Sequence, residues 1–110
     1  MPQILSRDEK PIFGVRLRYA REAAAISQFQ LGVSIGIDEG SSSARISRYE
    51  SGTHEPAVKI ARALAAKLKV PLAYLYCDDD LLAQIILAMR DLSRDRKREL
   101  LDGLRLASSR

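Results

Sequence analysis

Pro11, Ser27, Ser42, Pro56, Pro71 and Ser93 each stand where a helix can begin, and Gly36 and Gly52 each stand where one can end. A proline is tolerated in a first helical turn, because the N–H it lacks has no partner there anyway. A serine ahead of an apolar-periodic run can accept one of the N–H groups that the helix leaves open. Glycine enters the left-handed conformation that closes a helix without a steric penalty. Between these marks the apolar residues recur at helical spacing. Phe13, Leu17, Ala20 and Ala24 predict a first helix over about residues 12–24. Leu31 and Ile35 follow in a short second helix from Gln28, capped by Ser27, and a third runs from its cap Ser42 to Tyr49 or Glu50. Pro56 opens a fourth, with Ile60, Ala61, Leu64, Ala65 and Leu68 on one face, and Pro71 opens a short fifth with Leu72 and Leu75 pointing inward. Nothing competes with this pattern, since alternating β-branched stretches and Trp are absent and Ala, Leu, Arg and Lys dominate. The expected fold class is all-α.

The remainder of the chain predicts a helical hairpin. Asp78, Asp79 and Asp80 precede an apolar face of Leu81, Leu82, Ile85, Ile86 and Met89, and Ser93 caps a last helix carrying Leu100, Leu101 and Leu104. With 110 residues, 46% of them apolar, the chain is long enough for one real core and too short for two. Three parts are expected: an irregular N-terminal arm over residues 1–11, a helical domain over 12–77, and a C-terminal helical extension over 78–110.

Several function classes are excluded on residue types alone. One cysteine, Cys77, allows no internal disulfide, and with one histidine, His54, it allows no ordinary zinc site. No nucleophile–base spacing and no Gly-rich cofactor loop is present, so neither an enzyme nor a cofactor is expected. The Gly40-Ser41-Ser42-Ser43 run lacks the lysine and the preceding strand of a phosphate-binding loop. Asp78–Asp80 reads as a cap with macrodipole partners rather than a metal site, and Cys77 as a buried core thiol. MPQILSRDEK has no signal-peptide apolar core and no run approaches a membrane span, which predicts a cytoplasmic protein that enters no membrane. No small-molecule ligand is expected. The net charge of +4 points weakly to nucleic acid, because residues 1–55 hold seven basic and seven acidic groups and the excess sits mainly in the C-terminal third. There the run Arg94-Asp95-Arg96-Lys97-Arg98 reads as a solvated helix face before a second DNA patch.

The second and third helices, short and joined by a Gly-containing turn, describe a helix-turn-helix. The residues that carry more are Leu17 and Arg21, then Ile26-Ser27-Gln28 and Leu31, then Ile46-Ser47-Arg48-Tyr49-Glu50-Ser51-Gly52, Glu55-Pro56, and the pattern Ile60, Ala61, Leu64, Ala65, Leu68, Val70. In that order they resemble the phage repressor/Cro-like (XRE) helix-turn-helix family over about half the chain. The resemblance implies a lambda-repressor-like five-helix domain over residues 12–77 that binds double-stranded DNA, with the hairpin as its extension. Two features depart from the family. Glu39-Gly40-Ser41-Ser42 reads as an insertion that lengthens either the turn or the third helix. Gly32 stands where the family prefers alanine, at about 1 kcal/mol of helix stability.

Counting from Ile46, the resemblance places base-reading positions at Ser43, Ala44 and Arg48, with Arg45 beside them. An arginine can hold guanine O6 and N7 together; a solvated or phosphate-bound Arg48 is the competing reading. Gln28 in the first turn of the second helix, with Ser51 and Thr53 beyond the third, is expected to contact phosphate, and His54 is expected to be an exposed loop residue. Arg21 and Glu50 correspond to an ion pair that ties the first helix to the end of the third. Arg16 and Arg18 read equally as backbone-facing or solvated.

The function implied is a sequence-specific transcriptional regulator, most simply a repressor, acting as a homodimer on half-sites about one turn apart. The leucines of the hairpin are the candidate dimerisation element. The alternative is a protein-interaction module, such as an antitoxin-like partner that retains the fold without strong DNA binding.

Overall fold

A computed structural model describes residues 11–109, so the expected arm over residues 1–11 lies outside the described residues except for Pro11. The described chain is helical throughout: α1 (Ile12–Ala23), α2 (Gln28–Ser34), α3 (Ser42–Ser51), α4 (Val58–Leu68), α5 (Leu72–Tyr76), α6 (Asp80–Met89) and α7 (Arg94–Ser108). Leu17, Leu31, Ile46, Leu64 and Leu75, one from each of the first five helices, are fully buried and meet in one core. Burying a leucine or isoleucine side chain completely is worth about 1.5–3 kcal/mol. The five therefore tie all five helices together.

The sequence signals position most of the helix ends. Ser27 Oγ accepts from Gln30 N at 3.0 Å while Gln30 Oε1 accepts from Ser27 N at 2.8 Å, a reciprocal capping box. Asp79 and Ser93 cap α6 and α7 through Leu82 N and Arg96 N. Gly36 and Gly52 take φ of 95° and 83°, as their places after α2 and α3 require. Two left-handed turns fall on Ala25 and Lys69 instead, both at φ 59°, where no glycine marks them. Pro56 is buried ahead of α4, which starts at Val58, two residues later than its position suggests.

Ser42 is not the cap of α3. It is the first helical residue, Ser41 precedes it without a side-chain cap bond, and the Ser42 side chain is turned inward with no exposure. Its Oγ donates to the carbonyl of Phe29 at 2.8 Å, joining α3 to α2. Gly32 lies beneath it: a Cβ there would overlap Ser42 Oγ and come within 3.0 Å of Ser42 Cβ. The family's alanine is thus excluded by the serine opposite, and the lost helix propensity is offset by a closer approach of two helices. Gly32→Ala is expected to destabilise the protein by about 1–3 kcal/mol, the usual effect of overpacking, despite the roughly 1 kcal/mol that alanine adds to an isolated helix. Urea denaturation checks this, with Gly32→Ala/Ser42→Gly recovering part of the loss. A stabilised Gly32→Ala would refute the packing argument.

The extension divides differently from its sequence pattern. Ala83, Ile86 and Leu87 of α6 pack against the core, while Leu81, Leu82 and Ile85 of its apolar face turn outward. No residue of α7 is buried, so its leucines close no part of the monomer's own core. Cys77 is half-buried at the end of α5 rather than inside the core, with its Sγ donating to Asp79 O at 3.5 Å.

Candidate nucleic-acid interface

The α3 helix presents two faces of opposite character. Ser42, Ile46, Tyr49 and Glu50 are buried, and Ser43, Ala44, Ser47, Arg48 and Ser51 are exposed. The exposed set follows the i, i+1, i+4, i+5, i+8 spacing of one helix face. Apart from Arg48 it carries only hydroxyls and a methyl group. A face of small side chains can approach the floor of a major groove closely, and one arginine can read there. Ser43, Ala44 and Arg48 therefore lie together, and Ser47, which the sequence reading passed over, lies among them. Spacing alone marks Ser47, because Ile46 and Tyr49 fix the buried side.

Arg45 does not share this face. Its Nε and Nη2 donate to Tyr49 Oη at 3.3 and 3.2 Å, and its guanidinium carbon sits 5.9 Å from the centroid of the Tyr49 ring. It is half-buried beside the exposed face of α3.

Three of the four inserted residues, Glu39, Gly40 and Ser41, form turn, and only Ser42 is helical. Ser41 N donates to Asp38 O at 2.9 Å and Gly40 N to Asp38 Oδ2 at 3.1 Å, so Asp38 organises the stretch before α3 starts at Ser42. Glu39, Gly40 and Ser41 are exposed at the leading end of α3.

Behind the face lies the ion pair expected from the resemblance. Arg21 Nε meets Glu50 Oε2 at 2.6 Å and Arg21 Nη2 meets Glu50 Oε1 at 3.2 Å, a fork-to-fork pair whose side chains are 12% and 6% exposed. Arg21 Nη1 also donates to Ile26 O at 2.9 Å, fixing the turn after α1. The hydrogen bond to Glu50 holds the Arg21 guanidinium above its ordinary pKa, against the opposing effect of burial. Gln28 Nε2 donates to Glu50 Oε1 at 3.0 Å. The glutamine expected at phosphate is thus also part of this inner network, joining α2 to the α1–α3 pair.

In the last residue of α3, Ser51 Oγ lies 3.2 Å from Arg48 O, to which it donates, and 2.9 Å from Thr53 Oγ1. The two hydroxyls form one exposed cluster, and His54 is exposed next to them. A groove of about 400 Å³ runs between α1 and α3, with Arg18 and Tyr19 on one side, Ser47 and Ser51 on the other and Gln28 at its end. Arg18 is exposed and pairs with Glu22 at 3.1 Å. Arg16 is instead buried: its Nε donates to Cys77 O at 2.9 Å, its Nη2 lies 3.0 Å from Asp80 Oδ1, and its guanidinium sits 5.7 Å from the Tyr74 ring centroid. It anchors the start of α6 to α1 and is unavailable to DNA. The triple aspartate is likewise accounted for in part, by the Asp79 cap and the Asp80 pair.

The family model described as Helix-turn-helix matches residues 17–75, more than half of the chain. The chain belongs to that family. The matched span runs from Leu17 in α1 to Leu75 in α5 and contains both helices of the α2–α3 unit, and the phage repressor/Cro-like resemblance is borne out. Among solved structures the chain is similar to the transcriptional regulator BswR, at 44% identity and a TM-score of 0.79, over 84% of this chain and 92% of that one. No curated protein matches it. Among the described residues, no helix of this helix-turn-helix protein is long and apolar enough to cross a membrane.

Proposed function

We propose that this helix-turn-helix protein is a sequence-specific DNA-binding transcriptional repressor that acts in the cytoplasm as a homodimer on a two-fold symmetric operator. The observation that carries the reading is the outer face of α3, where Ser43, Ala44, Ser47 and Arg48 stand exposed on a helix held rigidly from behind. Arg48 reads a guanine through O6 and N7, and Ser43 and Ala44 contact neighbouring base edges. Arg45 joins them only by releasing Tyr49. Gln28 Nε2 carries two hydrogens, one for Glu50 and one for a phosphate. Ser51 and Thr53 offer hydroxyls to the backbone at the other end of α3. Similarity to a protein described as a transcriptional regulator supports the role. One reading helix covers a half-site, and the exposed leucines of the extension supply a surface for the second copy.

Binding to a mixed-sequence duplex at stepped salt tests the DNA interface before any operator is known. The dimer brings one arginine per copy, Arg48, to the duplex, and about two such cationic contacts lose roughly 10-fold in affinity between about 50 and 200 mM salt. Absence of binding at low salt, or binding indifferent to salt, would contradict the interface and favour a protein-interaction module on the same fold.

A further inference from the structure

The two helices of the extension each leave an apolar surface uncovered. From Leu81 to Met89 the α6 helix has one polar side chain, Gln84, and no charge. A helix that is apolar all round belongs in an interior, yet Leu81, Leu82 and Ile85 are 69%, 49% and 45% exposed. The α7 helix is amphipathic, with Leu100, Leu101 and Leu104 on one stripe at 38%, 43% and 59% exposure, and it buries none of its residues.

Charge decides which helix covers which. Read from their N-termini, α6 has an acidic run, Asp78–Asp80, followed by leucines, and α7 has a basic run, Arg94 to Arg98, followed by leucines. The two sequences match when the helices lie parallel. Asp78 is exposed, and Asp80 is open to solvent although it pairs with Arg16. A chain cannot make this match with itself, because the short 90–93 connection lets α7 return along its own α6 only antiparallel. That return would set Arg94 beside Arg90, like against like, and bring only Arg105 towards the aspartates.

We propose that in the homodimer each copy's α7 crosses to lie parallel along the outer face of the second copy's α6, basic turn against acidic turn and leucines against leucines. The inference rests on the dimer reading and assigns the surface by which the second copy is held. In this register Leu100 falls over Ile85 and Leu104 over Met89 of the other copy.

The test uses the full chain with Cys77→Ser as background. Met89→Cys and Leu104→Cys are made in separate chains, mixed and mildly oxidised, and Leu82→Cys/Leu101→Cys are made together in one chain. A covalent dimer from the mixture, with no internal disulfide in the double variant, is expected. An internal disulfide between positions 82 and 101 would place α7 antiparallel on its own α6 and overturn the exchange. Light scattering of the unmodified protein separates the two levels. A mass twice the 12.2 kDa of the chain without the 89–104 cross-link would leave the dimer standing and refute the exchange. A monomer would refute both.

Discussion

Glu50→Ala is expected to lower the stability of the protein by about 3–5 kcal/mol, the penalty for leaving one member of a buried ion pair without its partner. Arg21 is 12% exposed and stays charged at every accessible pH, so it cannot escape the loss by neutralising. The same substitution strands Gln28 Nε2, which donates to Glu50 Oε1. For a domain of this size the loss corresponds to a fall in Tm of roughly 15–30 °C. Glu50→Gln, which keeps the shape and one acceptor, is expected to lose less. Thermal unfolding followed by circular dichroism checks both. The physical claim is that the pair holds α3 to α1 from behind and exposes nothing to DNA. A Glu50→Ala protein with unchanged Tm but lost DNA binding would show that claim to be wrong.

The second large effect is expected at Gly14. A Cβ at this position would overlap the carbonyl oxygen of Glu50 and lie 2.7 Å from that of Tyr49. The obstacle is backbone at the end of α3, so no rotamer change can relieve it. Gly14→Ala therefore has to push α3 away from α1, at about 1–3 kcal/mol or more. This exceeds the roughly 1 kcal/mol that alanine contributes to helix propensity. Because the displacement falls at the end of α3 that carries Arg48 and Ser51, DNA affinity is expected to drop beyond what the stability loss explains. Binding measured well below Tm, beside a urea titration, separates the two effects. Gly14→Ala with native stability and affinity would mean that the two helices can part freely.

The helices of the reading domain were legible because their apolar periodicity and end signals agree: capping box, glycine stops and buried leucines all point to the same boundaries. The Arg21–Glu50 pair was reached through the family resemblance, since spacing alone does not bring residues 29 apart in sequence into contact. What sequence hid were contacts between elements. Whether Ser42 caps its own helix or clamps another depends on Gly32 lying opposite, and neither residue signals the other. Arg16 looks like any helix-surface arginine until the start of α6 folds over it. For a related reason, sequence does not say which side of α6 turns inward. With apolar residues on every side, the helix gives periodicity no polar face to exclude, and Ala83 rather than a leucine takes the most buried place.

The central claim is that α3 reads sequence through Arg48 in a two-fold symmetric assembly. Selection of bound duplexes from a random pool, run in parallel with the wild type and Arg48→Ala, tests it most directly. The account predicts a two-fold symmetric motif for the wild type, relaxed at one symmetry-related base pair per half-site in the variant. Loss of a guanine contact would amount to about 1–3 kcal/mol of discrimination there. The same motif with undiminished preference in both proteins would remove Arg48 as a reader, and no enrichment at low salt would contradict the account as a whole.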